Sequence, residues 1–216
     1  ALGLLSSKAV KHGALVSFSI AAALGMYIIT ITGWPVLILC ILSLAVAYLY
    51  SAGPIPLGNL GLGQPIVFIF MGPVMVLGTL YVQLQAITWE DLLISLPVGC
   101  LVTAILTAND LRDFEEDRTG GKQTLVTWRG RAFGRKVFIS LVITAYLLVI
   151  LTIITGVTPW SSLLVLFSIP WFLRIYRLMN NLHEQLILNH VLRSTAFLHL
   201  QFGILLATGL ALGNLI

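Results

Sequence analysis

The chain has 216 residues, of which 58% are hydrophobic and 9% charged, with a mean hydropathy of +1.01 and a formal net charge of +4. A water-soluble domain carries roughly 25% charged residues, so this composition excludes an ordinary soluble protein. Apolar runs of about 20 residues recur instead, the length a helix needs to cross ~30 Å of hydrocarbon.

The start, Ala1–His12, is mildly basic and lacks the apolar core of a signal peptide; it begins with Ala rather than Met, so a preceding segment is expected. Seven apolar runs come after it: His12–Ile31, Pro35–Ser51, Pro65–Val82, Asp91–Ala108, Val137–Gly156, Trp160–Tyr176 and Ser194–Leu212. They are long and continuous and lack the alternation of a membrane barrel. The expected fold class is therefore all-α, a polytopic transmembrane helix bundle. Cys40 and Cys100 fall inside predicted helices and read as core thiols.

When the seven helices alternate across a bilayer, all twelve Lys and Arg residues fall on one side. Lys8 and Lys11 precede the first helix, seven residues from Arg112 to Lys136 come after the fourth, and Arg174, Arg177 and Arg193 flank the sixth-to-seventh connection. The opposite loops hold Glu90 and Asp91. This asymmetry makes the basic face cytoplasmic, and it assigns the positive charge to topology rather than to a nucleic-acid partner. Within the helices His199 stands out as an ionisable group, expected to be buried and hydrogen-bonded. A transporter that couples ions needs charges at membrane depth, and this pattern argues against one. His183 and His190 read as interfacial residues beside Arg193.

Twelve of the twenty Asp, Glu, Lys and Arg residues lie between Asn109 and Lys136. Asp113 and Asp117 are four apart; if the fourth helix runs on past the membrane, both share one face with Asn109, possible company being Glu116. Such a row of acceptors repels itself at neutral pH, and a divalent cation relieves it. Mg²⁺ takes oxygen ligands and is typically held by one or two carboxylates plus substrate phosphates. Arg112, Arg118 and Lys122 suit the remaining phosphate oxygens. A solvated, salt-bridged loop is the competing reading of the Asp-x-x-x-Asp spacing. A second cytoplasmic segment, Gly53-Pro54-Ile55-Pro56-Leu57-Gly58-Asn59-Leu60-Gly61-Leu62-Gly63-Gln64, is turn-rich, and its amides can approach an anion, although taken alone it reads better as a tight apolar turn. Gly120-Gly121-Lys122 lacks the spacing of a P-loop.

At these residues the chain resembles the UbiA superfamily of intramembrane prenyltransferases, over essentially its whole length. Asn109-Asp110-Leu111-Arg112-Asp113 to Asp117, then Gly121-Lys122-Gln123-Thr124-Leu125, is similar to that family's second aspartate-rich motif. The Gly-Lys-x-Thr-Leu tail looks like the subgroup acting on 1,4-dihydroxy-2-naphthoate in menaquinone and phylloquinone biosynthesis. So do Tyr48-Leu49-Tyr50-Ser51 and the glycines of the central loop, where the family usually has Glu at the position of Gln64. Thr195, Phe202-Gly203 and Gly209 resemble its last helix. The family has nine helices and a first aspartate-rich motif after its second. Gly3-Leu4-Leu5-Ser6 resembles the family's stretch just C-terminal to that first motif. Residues 1–216 therefore read as one transmembrane prenyltransferase domain lacking the first two helices and first motif.

The resemblance implies Mg²⁺-dependent transfer of a polyprenyl or phytyl group from its diphosphate to 1,4-dihydroxy-2-naphthoate, with decarboxylation, at the cytoplasmic side of a cell or inner membrane. It implies that Asp113 and Asp117, assisted by Asn109, hold the metal. Arg112, Lys122 and Arg118 meet the diphosphate, and Tyr50 faces the allylic cation or the phosphates. A relative acting on another aromatic acceptor and a non-enzymatic membrane protein remain open. CDP-alcohol phosphotransferases need an Asp-Gly-x-x-Ala-Arg segment that the sequence lacks.

Overall fold

The computed structural model describes residues 6–51, 56–180 and 184–213. The sequence features at Gly3–Leu5, Gly53–Ile55 and His183 lie outside the described residues. Among the described residues, seven helices are long and apolar enough to cross a membrane: α1 (Ser7–Thr32), α2 (Trp34–Ser51), α3 (Gly63–Leu84), α4 (Trp89–Arg112), α7 (Arg131–Ile154), α8 (Trp160–Leu178) and α9 (Gln185–Gly213). Two short helices, α5 (Phe114–Thr119) and α6 (Leu125–Arg129), fill the loop between α4 and α7. The chain is an all-α, multi-pass integral membrane protein, as its composition requires.

α4 is the central post. Half of its apolar stretch is buried (50%), against 6% for α1 and for α2. It packs against α3, α7 and α9. Its start is fixed by a reciprocal cap: the Asp91 amide donates to Thr88 Oγ1, and the Thr88 amide donates to Asp91 Oδ2 at 2.8 Å. The acidic pair Glu90 and Asp91 thus sits at the positive end of the helix dipole.

In lipid, helices associate through close packing rather than water exclusion, so small residues mark the contacts. Gly72 of α3 meets Gly99 of α4 so closely that a Cβ at Gly72 would lie 2.5 Å from the Gly99 Cα. α3 accommodates this by a single π turn over Phe70–Val74, where Pro73 cannot donate to the ladder. Elsewhere, two polar side chains find partners across the bundle. Tyr146 Oη and Ser168 Oγ lie 2.7 Å apart, and Trp171 Nε1 donates to the Ser194 carbonyl at 3.0 Å. His199 differs from expectation: it is half-buried, and its Nδ1 has no hydrogen-bond partner among the described residues.

The connection after α2 and the one after α4 meet at one end of the bundle. Leu60 and Gln123 form an isolated parallel bridge, with the Gln123 amide donating to the Asn59 carbonyl at 3.3 Å. At the same end, Arg131 at the head of α7 reaches Glu115 of α5 at 3.2 Å. Arg135 reaches Asn180, just past α8, at 2.7 Å.

Candidate active site

The charged loop does not form the simple helical extension that the Asp-x-x-x-Asp spacing predicts. α4 ends at Arg112, and Asp113 (φ −91°, ψ 9°) caps it before α5 begins. The backbone bridges the interruption, since the Asp117 amide donates to the Asp113 carbonyl at 2.8 Å. The carboxylates also have partners, contrary to the expectation of an unpaired acidic row. Arg112 donates to both oxygens of Asp113, Nε to Oδ1 at 2.6 Å and Nη2 to Oδ2 at 2.7 Å. The same guanidinium donates to Asn109 Oδ1 at 2.9 Å, and Asn109 Nδ2 donates back to Asp113 Oδ2 at 3.1 Å. Asp117 is paired with Lys122 at 3.1 Å.

Two small networks therefore stand side by side, Asn109–Arg112–Asp113 and Asp117–Lys122, and Arg112 interacts electrostatically with Asp117 and Glu116 across them. Arg118 is exposed and belongs to neither network. Lys122 is carried back over the loop by the turn at Gly120 and Gly121, and its amide donates to the Asp117 carbonyl at 2.9 Å. Thr124 then opens α6 with a cap exchanged with Thr127, whose hydroxyl also secures the turn by donating to the Lys122 carbonyl at 3.0 Å.

Tyr50 approaches from the other loop. It is half-buried at the end of α2, folded beneath Gly58: a Cβ there would lie 3.0 Å from the Tyr50 carbonyl oxygen and 3.2 Å from its ring. Glycine is required for that approach. The Tyr50 phenol interacts electrostatically with Asp110 and Lys122, so both loops face one another through it. Tyr50 also lines an apolar groove of ≈ 740 Å³ between α2 and α3, walled by residues such as Ala47, Phe70 and Val74 and reaching Val36 and Gln83. Tyr50 thus stands between the charged cluster and the apolar groove.

Asp110 and Gln64 form a pair that the sequence pattern does not announce. Gln64 Nε2 donates to Asp110 Oδ2 at 2.8 Å, with 8% and 3% of the two residues exposed. They lie 46 positions apart, so no local pattern joins them.

The oxygen-only donors of Asn109, Asp113 and Asp117 suit a hard divalent cation. No group of three or more His, Cys, Asp or Glu side chains is arranged to hold a metal among the described residues. The described residues thus form no all-protein cage of such side chains.

A multi-pass helix bundle with acidic and basic side chains gathered at one end, joined through Tyr50 to an apolar groove, is the class that this geometry defines. Residues 1–213 match the model of the UbiA prenyltransferase family, and the chain belongs to that family. It is 32% identical to a 1,4-dihydroxy-2-naphthoate octaprenyltransferase of Bacillus subtilis (strain 168), over 95% of this chain and 66% of that protein. It is 31% identical to the Mycobacterium tuberculosis protein of the same name, over 98% of this chain and 72% of that protein. It is also 31% identical to a 2-carboxy-1,4-naphthoquinone phytyltransferase of Synechocystis, over 70% of this chain and 50% of that protein. The chain thus spans about two thirds of the first relative's length and half that of the Synechocystis protein.

Proposed function

We propose that this chain carries the prenyl-transfer site of an enzyme that moves a polyprenyl or phytyl group from its diphosphate to 1,4-dihydroxy-2-naphthoate, with loss of CO₂. The observation that carries the reading is the position of Tyr50, which lines the apolar groove and interacts electrostatically with Lys122 of the charged cluster. The names of the relatives support the acceptor. The basic end of the bundle supports a cytoplasmic site in a cell or inner membrane, by the positive-inside rule.

The diphosphate head lies among Arg112, Lys122 and Arg118, while the isoprenoid tail runs down the groove. Keeping such a tail in an apolar trough favours binding by roughly 0.8 kcal/mol per buried CH₂. Arg112 exchanges its Asp113 partner for phosphate oxygens, to which its planar fork is matched. A divalent cation, Mg²⁺ by the hardness of Asn109, Asp113 and Asp117, supplies charge neutralisation for the departing diphosphate when bound. The allylic C–O bond breaks with its electron pair leaving on the diphosphate, whose new charge Arg112 and Lys122 stabilise by donated hydrogen bonds. The Tyr50 ring offers its π face to the allylic cation. The electron-rich naphthoate ring forms the new C–C bond, and the pair from the broken bond to CO₂ restores the ring.

The test is prenyl transfer by the full-length protein in membranes, with 1,4-dihydroxy-2-naphthoate, a polyprenyl diphosphate, and Mg²⁺ or EDTA. The expected product is a decarboxylated prenyl-naphthoquinol formed only with Mg²⁺. Product from another aromatic acid alone would keep the chemistry and remove this acceptor. No turnover with any acceptor would overturn the reading.

A further inference from the structure

Asp110 is the one Asp, Glu, Lys or Arg residue among the described residues that is buried. Its carboxylate does not point into the network formed by its neighbour Asn109. It is instead held by the Gln64 amide, and this bond ties the first turn of α3 to the last turns of α4. Each end of the tie carries part of the site. Gly63, next to Gln64, is where a Cβ would lie 3.4 Å from the Tyr50 hydroxyl. Asn109, Arg112 and Asp113 lie within one turn of Asp110. Asp110 also interacts electrostatically with Lys122 and with Asp117.

We infer that Gln64 and Asp110 are a positioning pair, whose hydrogen bond sets the distance between Tyr50 at the groove mouth and the residues that receive the diphosphate. The inference rests on the function proposed above. Its chemistry is directional: an ionised carboxylate only accepts, and the Gln64 amide supplies the donor. A Glu at position 64 would set carboxylate oxygens against each other where donor and acceptor now stand 2.8 Å apart. Exchanging the two groups, Gln64→Glu with Asp110→Asn, reverses the donor and keeps both the bond and the total charge. Asp110→Asn alone keeps an acceptor oxygen for Gln64 while it removes the charge and turns the other oxygen into an NH₂ donor.

The experiment compares these three variants with the unaltered full-length protein in lipid nanodiscs. It measures kcat and KM for prenyl diphosphate, and the shift in thermal midpoint produced by Mg²⁺ plus inorganic pyrophosphate. Gln64→Glu is expected to lower kcat roughly tenfold or more, the cost of a buried charged group losing its partner, with KM within about threefold. The exchanged pair is expected to return kcat and the pyrophosphate shift to within about threefold of the original, and Asp110→Asn to stay within that range. Full activity of Gln64→Glu, an exchanged pair as impaired as Gln64→Glu, or abolition of turnover by Asp110→Asn would each overturn the inference. If Gln64→Glu does not fold, a folded and active exchanged pair supports the inference, and an unfolded one overturns it. Absence of turnover in the unaltered protein would instead sink the functional reading, and the pyrophosphate shift would still decide for or against the pair.

Discussion

Arg112 separates a structural loop from a working site. Replacing it with Ala removes two bonds to Asp113 and one to Asn109. In the resting protein that loss is small. The side chains of Arg112 and Asp113 remain 27% and 23% exposed, water can solvate the released carboxylate, and Asn109 Nδ2 still donates to it. Ion pairs of this exposure contribute about 0–1 kcal/mol, which for a chain of this length moves the thermal midpoint by no more than about 4 °C. If Arg112 instead serves the departing diphosphate, the loss falls on the transition state. Removing one preorganised donor there costs about 10²–10³ in kcat. Prenyl transfer and thermal unfolding of Arg112→Ala in the same nanodisc preparation measure the two effects. Near-unchanged stability with a kcat reduced at least a hundredfold is the expected result. A midpoint lowered by about ten degrees with kcat intact would show a salt bridge that merely holds the loop.

Other changes probe the parts around the cluster. Gly72→Val should lower the thermal midpoint by roughly 3–10 °C through overpacking against Gly99, while Gly203→Ala, mid-helix with nothing near its added Cβ, should hold it or raise it by a few degrees; differential scanning fluorimetry reads both. Val74→Trp, placed on the groove wall, should shift preference toward shorter prenyl diphosphates without altering stability, read as product masses from a mixture of donors. Lys122→Met should raise KM for prenyl diphosphate about tenfold or more by removing a charged donor, measured in the same transfer assay.

The spans were legible because lipid demands about 20 apolar residues per crossing and little else satisfies that pattern. Their ends were not. α7 begins at Arg131 rather than near Val137, and α9 at Gln185 rather than near Ser194, since their polar first turns leave the apolar region and look like loop in sequence. The residues of the charged cluster could be named from type and spacing, and Asn109, Arg112 and Asp113 do come together, as do Asp117 and Lys122. Their pairing could not be read, because spacing alone specifies neither the break at Asp113 nor which neighbour each carboxylate takes as partner. Gln64 with Asp110, and Tyr50 beneath Gly58, depend on two loops meeting in space. The π turn had one local signal, Pro73 inside an apolar run.

The most direct test of the central claim is the turnover of Asp117→Asn in the full-length protein, assayed with Mg²⁺, polyprenyl diphosphate and 1,4-dihydroxy-2-naphthoate. The substitution keeps the size of a side chain that meets Lys122 at the edge of the cluster. Loss of Mg²⁺-dependent product with an unchanged thermal midpoint is the expected result. Normal turnover would contradict the assignment of Asp117, and with it the proposal that this acidic loop is where the diphosphate is released.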